Sequence, residues 1–87
     1  MLLDIVQVQY IKNYELEIRF ENGEHGVVDL YEYCQKGGIF EKLSDKQYFQ
    51  QVYVNHDLGT ICWPDGVDIA PETLYTMMKQ ASTVLTK

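Results

Sequence analysis

Arginine is almost missing from this sequence. Arg19 stands alone, and with the scattered lysines Lys12, Lys36, Lys42, Lys46, Lys79 and Lys87 it faces 13 acidic residues, for a formal charge of −6. Affinity for nucleic acid depends heavily on clustered Lys and Arg neutralising phosphates, so direct nucleic-acid binding is not expected. An acidic excess favours solubility and also attracts a basic partner protein. Long apolar runs are absent as well. No stretch reaches the roughly 20 residues that a spanning helix needs. Met1-Leu2-Leu3-Asp4 lacks the basic-then-apolar order of a secretion signal. No membrane association is expected, and the expected compartment is the cytoplasm.

Cysteine is limited to Cys34 and Cys62, a pair expected to be reduced in that compartment. Cys62, beside Trp63 on a strand, reads as packed. Cys34, near the Gly37-Gly38 break, reads as the more accessible of the two. Neither lies in the signature of a known cysteine enzyme. His25 and His56 are the two histidines; they lie well apart near expected turns, and no ligand pair has structural-zinc spacing. Neither a metal nor a cofactor is expected. Gly37-Gly38 lacks the Lys-Ser/Thr ending and the strand–loop–helix setting of a phosphate loop, and reads as a connector.

What is present is a strong folding pattern. The chain has 87 residues, 46% of them apolar, which suits one domain over residues 1–87. Val6, Val8 and Tyr10 alternate with Gln7 and Gln9, so a first strand is expected from about Leu3 to Ile11. Tyr14, Leu16, Ile18 and Phe20 then alternate with Glu15, Glu17 and Arg19, the mark of a strand with one buried and one wet face. Asn22-Gly23 suits a two-residue type I′ turn into a third strand ending near Leu30. Tyr31 to Gln35 forms a short helical turn. Ile39, Phe40 and Leu43 form an apolar plug. Ser44 is expected to cap a short helix over 45–51. Val52-Tyr53-Val54 and Thr60-Ile61-Cys62-Trp63 pair as a second hairpin. Pro64 ends the last strand. Pro71 opens a final helix whose apolar side is Leu74, Met77, Met78, Ala81 and Leu85. The expected fold is α+β: an antiparallel β-meander plus a second β-hairpin, with the C-terminal helix and a short middle helix packed on one face.

Three stretches resemble the small bacterial family of domain of unknown function 2442: Tyr14-Glu15-Leu16-Glu17-Ile18-Arg19-Phe20 with Asn22-Gly23-Glu24; Val28-Asp29-Leu30 through Gly38-Ile39-Phe40, Leu43 and Phe49; and Gly59-Thr60-Ile61 with Trp63-Pro64-Asp65-Gly66-Val67-Asp68-Ile69-Ala70-Pro71-Glu72 and Leu74-Tyr75. The resemblance covers about Val6 to Leu74. It implies an α+β fold and no established activity. Some similar domains are fused to a DNA-binding helix-turn-helix; no such extension is expected here.

Three functional readings follow. The first is a non-catalytic protein-interaction or regulatory module, acting on a protein partner or as a homo-oligomer. Aromatic residues make up 13% of the chain, and Tyr31, Tyr33, Tyr53 and Tyr75 are hard to bury all at once in so small a core. Tyrosine suits interfaces because it joins a rigid apolar body to a polar tip. The second, implied by the fused relatives, is a sensor or dimerisation component of a DNA-linked transcriptional regulator, acting through a separate DNA-binding partner. The third is a small ligand binder or enzyme using His56, Asp65 and Asp68 where the turns meet the last helix. Asp29, Asp65, Asp68 and Glu72 are the carboxylates of interest. Asp65 and Asp68 also suit a structural task, accepting backbone N–H bonds at the turn.

Overall fold

The computed structural model describes residues 3–85, and side-chain surroundings for 3–38 and 40–80. The expected apolar roles of Ile39, Ala81 and Leu85 lie outside the described side chains. The elements are β1 (Ile5–Lys12), β2 (Glu15–Phe20), β3 (His25–Asp29), α1 (Tyr31–Cys34), a 3-10 segment (Gly38–Ser44), α2 (Lys46–Phe49), β4 (Tyr53–Asn55), β5 (Thr60–Trp63), a second 3-10 turn (Pro64–Gly66), β6 (Val67–Asp68) and α3 (Pro71–Leu85). The fold is α+β, with two antiparallel sheets ordered β1-β2-β3 and β4-β5-β6.

The strict alternation in β2 carries the first sheet. Leu16, Ile18 and Phe20 are buried on its inner face, and Arg19 is exposed on the outer one. β1 follows the expected pattern less closely. Ile5 pairs with Phe20 and Gln7 with Arg19, while Tyr10 pairs with Leu16 and Lys12 with Glu15. Val6 and Ile11 are therefore extra residues at two β-bulges, and a bulge resets which way the next side chain points. Ile5 enters the core, and Val6, expected on the Val8 and Tyr10 face, is 43% exposed.

The β2–β3 turn also differs from the expectation. Gly23 N–H donates to the Phe20 carbonyl at 2.9 Å and Phe20 N–H to the Glu24 carbonyl at 2.8 Å. Positive φ is found at Gly23 (91°) and not at Asn22. This is a three-residue loop, a turn over Glu21 and Asn22 followed by a left-handed glycine, rather than a two-residue type I′ turn. Asn22 instead accepts the Glu24 N–H through Oδ1 at 3.0 Å.

Ser44 does not cap α2. It ends the 3-10 segment, and its hydroxyl donates to the Glu41 carbonyl at 2.8 Å. Asp45 is the cap, accepting the Gln47 N–H at 2.9 Å, and the helix it starts is shorter than expected. The second hairpin gains a third strand. Val67 pairs with Trp63 and Asp68 with Cys62, so β5 lies between two neighbours and all four of its residues are buried. Trp63 donates its indole N–H to the Phe49 carbonyl at 2.8 Å, and the Thr60 hydroxyl donates to the Ile69 carbonyl at 2.5 Å. Phe49 joins the layers, its ring lying 6.0 Å from Tyr10, 5.3 Å from Tyr14 and 5.7 Å from Trp63. An Ile5 N–H to Gly59 carbonyl bond of 2.8 Å ties β1 to the second sheet.

Pro71 opens α3, as its missing N–H and fixed φ favour. Leu74 and Met78 are buried against the shared core, each contributing on the order of 2 kcal/mol by burial. Gly26 lets the helix approach β3: a Cβ there would lie 2.7 Å from Met78 Cγ. Among the described residues no helix is long and apolar enough to cross a membrane.

Candidate functional site

The β1–β2 turn places one aromatic ring where three other segments converge. Asn13 takes a left-handed φ of 49°, a conformation Asn tolerates better than most residues. Tyr14 follows, and its ring packs edge-on against Phe49 at 5.3 Å. Its hydroxyl donates to the Ser44 carbonyl at 2.6 Å, and its own carbonyl accepts the Leu30 N–H at 2.8 Å. Desolvation, and then the negative charge that Cys34, Tyr31 and Asp45 can carry, push the Tyr14 phenol above its ordinary value. The ring therefore stays a neutral donor at neutral pH.

Asp29 ends β3 and accepts the Tyr31 N–H through Oδ1 at 2.9 Å, the side-chain-to-backbone bond that favours Asp at the start of a turn. That bond holds the Tyr31 backbone where α1 starts, and the Tyr31 ring lies 5.8 Å from that of Tyr14 at 53°. Lys46, at the start of α2, places its ammonium 5.8 Å from the Tyr14 ring centre and 3.4 Å from Asn13 Oδ1. Together Asn13, Tyr14, Glu15, Asp29, Tyr31 and Lys46 line an open groove of about 310 Å³. Its aromatic wall is held by hydrogen bonds on one side and left open on the other: Tyr31 is 53% exposed.

A second hollow, of about 170 Å³, lies on the outer face of the first sheet among Gln7, Gln9, Glu17, Arg19 and His25. His25 Nδ1 stands 3.5 Å from Glu17 there, both side chains about half exposed. It is polar and has no aromatic wall.

The four spare tyrosines do not converge. Tyr31 lines the groove. Tyr33 packs edge-on against Phe40 at 5.4 Å under the Lys36 ammonium. Tyr53 is exposed on β4. Tyr75 packs edge-on against Phe20 at 5.2 Å and donates its hydroxyl to Glu24 at 2.6 Å, which fixes α3 to the hairpin. The His56, Asp65 and Asp68 set is likewise spread out. His56 lies in the turn before β5 and Asp65 in the turn after it, so the length of the strand separates them. Asp65, itself at a φ of 70°, pairs with Lys42 at 3.0 Å rather than with the backbone N–H groups expected for it. Asp68 is exposed on β6 opposite Cys62.

Cys34, expected to be the more accessible of the two cysteines, is buried as Cys62 is. Its thiol points to the Leu43 carbonyl at 3.5 Å, and burial, with Asp29 nearby, pushes its pKa up to about 11. Burial and then Asp68 raise Cys62 too. Both cysteines are free and buried, and both stay in the weakly nucleophilic thiol form at neutral pH. Among the described residues no three His, Cys, Asp or Glu side chains gather in a way that could hold a metal ion.

A model of the family described as "Protein of unknown function (DUF2442)" matches residues 5–80. The chain belongs to that family. The match runs from the first residue of β1 into α3, across both sheets, so the likeness to DUF2442 seen in the hairpin and in the Trp63 to Glu72 run extends over nearly the whole of this chain. No curated protein and no solved structure matches the chain.

Sequence reasoning marked Tyr31 and Asp29 separately and left Asn13, Tyr14, Glu15 and Lys46 out of any site. Tyr14 reads as a core residue because it continues the buried alternation of β2. No local signal joins these positions: Lys46 and Asn13 are 33 residues apart.

Proposed function

We propose that this DUF2442 chain is a non-catalytic protein-interaction module and that the groove between Tyr14 and Tyr31 is its docking surface. The observation that carries the reading is the state of Tyr31, a large aromatic side chain that is 53% exposed, with its backbone held by the Asp29 bond and its ring against that of Tyr14. Such a side chain offers contact area with little ordering cost on binding. The hydroxyl of Tyr14 and the first oxygen of Asp29 are engaged within the fold, which suits recognition better than turnover. The acidic balance of −6 favours a protein partner over direct nucleic-acid contact. Two free, buried cysteines suit a reducing compartment, which supports the reading of a cytoplasmic module.

The test is affinity capture from the native host with the wild-type chain and with Tyr31→Ala, beside sedimentation of each. A specific partner held by the wild type and lost by the variant, at unchanged stability, supports the reading. Equal capture by both, or a monomeric wild type that captures nothing, contradicts it.

A further inference from the structure

We infer that the occupant of the groove is a cationic side chain, a lysine ammonium or arginine guanidinium on a basic segment of a partner protein. This rests on the reading of the groove as the docking surface. Three features of the groove carry it.

The first is charge. Glu15 and Asp29 face one ammonium, Lys46, so the lining carries one unbalanced negative charge. Glu15 is half-buried where β2 begins, across the ladder from Lys12 on one side and Asp29 on the other, and its carboxylate makes no hydrogen bond or ion pair among the described residues. Asp29 commits one oxygen to the Tyr31 N–H, and its second oxygen is uncommitted among the described residues. A partly desolvated carboxylate that no ammonium or guanidinium contacts gains from an incoming cation. An incoming carboxylate meets two like charges.

The second is the aromatic wall. The face of a tyrosine ring carries the negative part of its quadrupole and attracts an ammonium or guanidinium within about 6 Å. The chain already demonstrates this chemistry at the same place. Lys46 holds its ammonium 5.8 Å from the Tyr14 ring centre with the Asn13 side-chain oxygen 3.4 Å away. The exposed Tyr31 ring, beside the two carboxylates, offers a second such seat.

The third is size. At about 310 Å³ and open to solvent, the groove sits at the lower end of the roughly 300–1,000 Å³ range of small-molecule pockets. That suits one long side chain entering from a neighbouring surface. The net charge of −6 steers a basic segment toward the chain before contact.

The experiment is a titration of the isotopically labelled full chain, followed by backbone-amide NMR shifts. The probes are three blocked pentapeptides in which glycine alternates with arginine, with glutamine or with glutamate. The arginine peptide is expected to shift the amides of Asn13, Glu15 and Tyr31 saturably, and added salt to weaken it. The glutamine and glutamate peptides are expected to leave those amides in place. Glu15→Gln and Tyr31→Ala, checked for an unchanged amide pattern around Trp63, are each expected to weaken the arginine peptide by about five-fold.

Equal or stronger shifts from the neutral or acidic peptide overturn the cation while leaving the groove as a docking surface. Arginine-peptide shifts confined to Gln7, Glu17 and His25, or no saturable shift at the groove, overturn the cation as well. Concentration-dependent shifts at Asn13 and Tyr31 without peptide make the occupant a second copy of the chain and overturn it too. The docking reading fails separately, when Tyr31→Ala retains the captured partner.

Discussion

Trp63 is fully buried in the shared core and also supplies the hydrogen that the Phe49 carbonyl accepts. Trp63→Phe keeps an aromatic ring but leaves that carbonyl unpaired and a void beside it. Its cost is expected to be about 2–3 kcal/mol, read from the urea midpoint; a loss below about 0.5 kcal/mol would show the bond to be incidental. Capping gives a second test among single residues. Asp45→Ala is expected to cost about 1 kcal/mol and Ser44→Ala less than half of that, because Asp45 accepts the free Gln47 N–H in the first turn of α2 while Ser44 serves the preceding 3-10 segment. The reverse order in the two urea midpoints would restore Ser44 as the cap. Both residues are good caps by type. The sequence alone does not separate them, because the boundary depends on where Gly38–Ser44 stops winding.

At the level of elements, two of the contacts that dock α3 among the described residues lend themselves to test. Gly26→Ala places a Cβ against Met78 and is expected to cost about 1–2 kcal/mol. Met78→Ala in the same chain should remove most of that extra cost, since the two changes share one contact. Simple additivity in thermal or urea unfolding would mean that the helix reaches β3 in some other way. The second contact is Glu24, which accepts from Lys79, Tyr75 and Asn22. Those bonds, with Lys79 first, hold its pKa at about 2 against an ordinary value of 4.5. The stabilisation is therefore whole above about pH 4.5 and disappears as the pH falls toward 2. Glu24→Gln is expected to flatten stability against pH across that window; an unchanged slope would place the acid sensitivity elsewhere.

These elements also show what was legible. β2 and α3 announce themselves because their periodicity runs unbroken. β1 is misread at Val6 because a bulge residue carries no compositional mark, and the alternation resumes one position later. β6 has two residues, too few for any period to show. It exists as a strand because the Pro64–Gly66 turn returns the chain along Trp63. Asn-Gly marks the hairpin correctly, but its register depends on Glu21 joining the loop.

The whole molecule explains why the groove was harder to see than the fold. Its lining comes from the first turn, the start of β2, the end of β3, the start of α1 and the start of α2. Pairing of β1, β2 and β3 and docking of α2 through Phe49 against Tyr10, Tyr14 and Trp63 bring these segments together. An exposed tyrosine was legible as a surplus over core capacity. Its pairing with Tyr14, and the two carboxylates beside it, follow from tertiary packing. The acidic balance acts at this scale too, since a basic partner is drawn to the entire surface before one side chain finds the groove, so partner capture should weaken as salt rises. The most direct measurement is site-specific photo-crosslinking in the native host, with a benzophenone side chain replacing Tyr31 or, as a control, the exposed Asp57 in the β4–β5 turn. The account predicts a partner crosslinked from position 31 and not from position 57, through a peptide rich in lysine or arginine. Equal yield from both positions, or none from position 31, would contradict it.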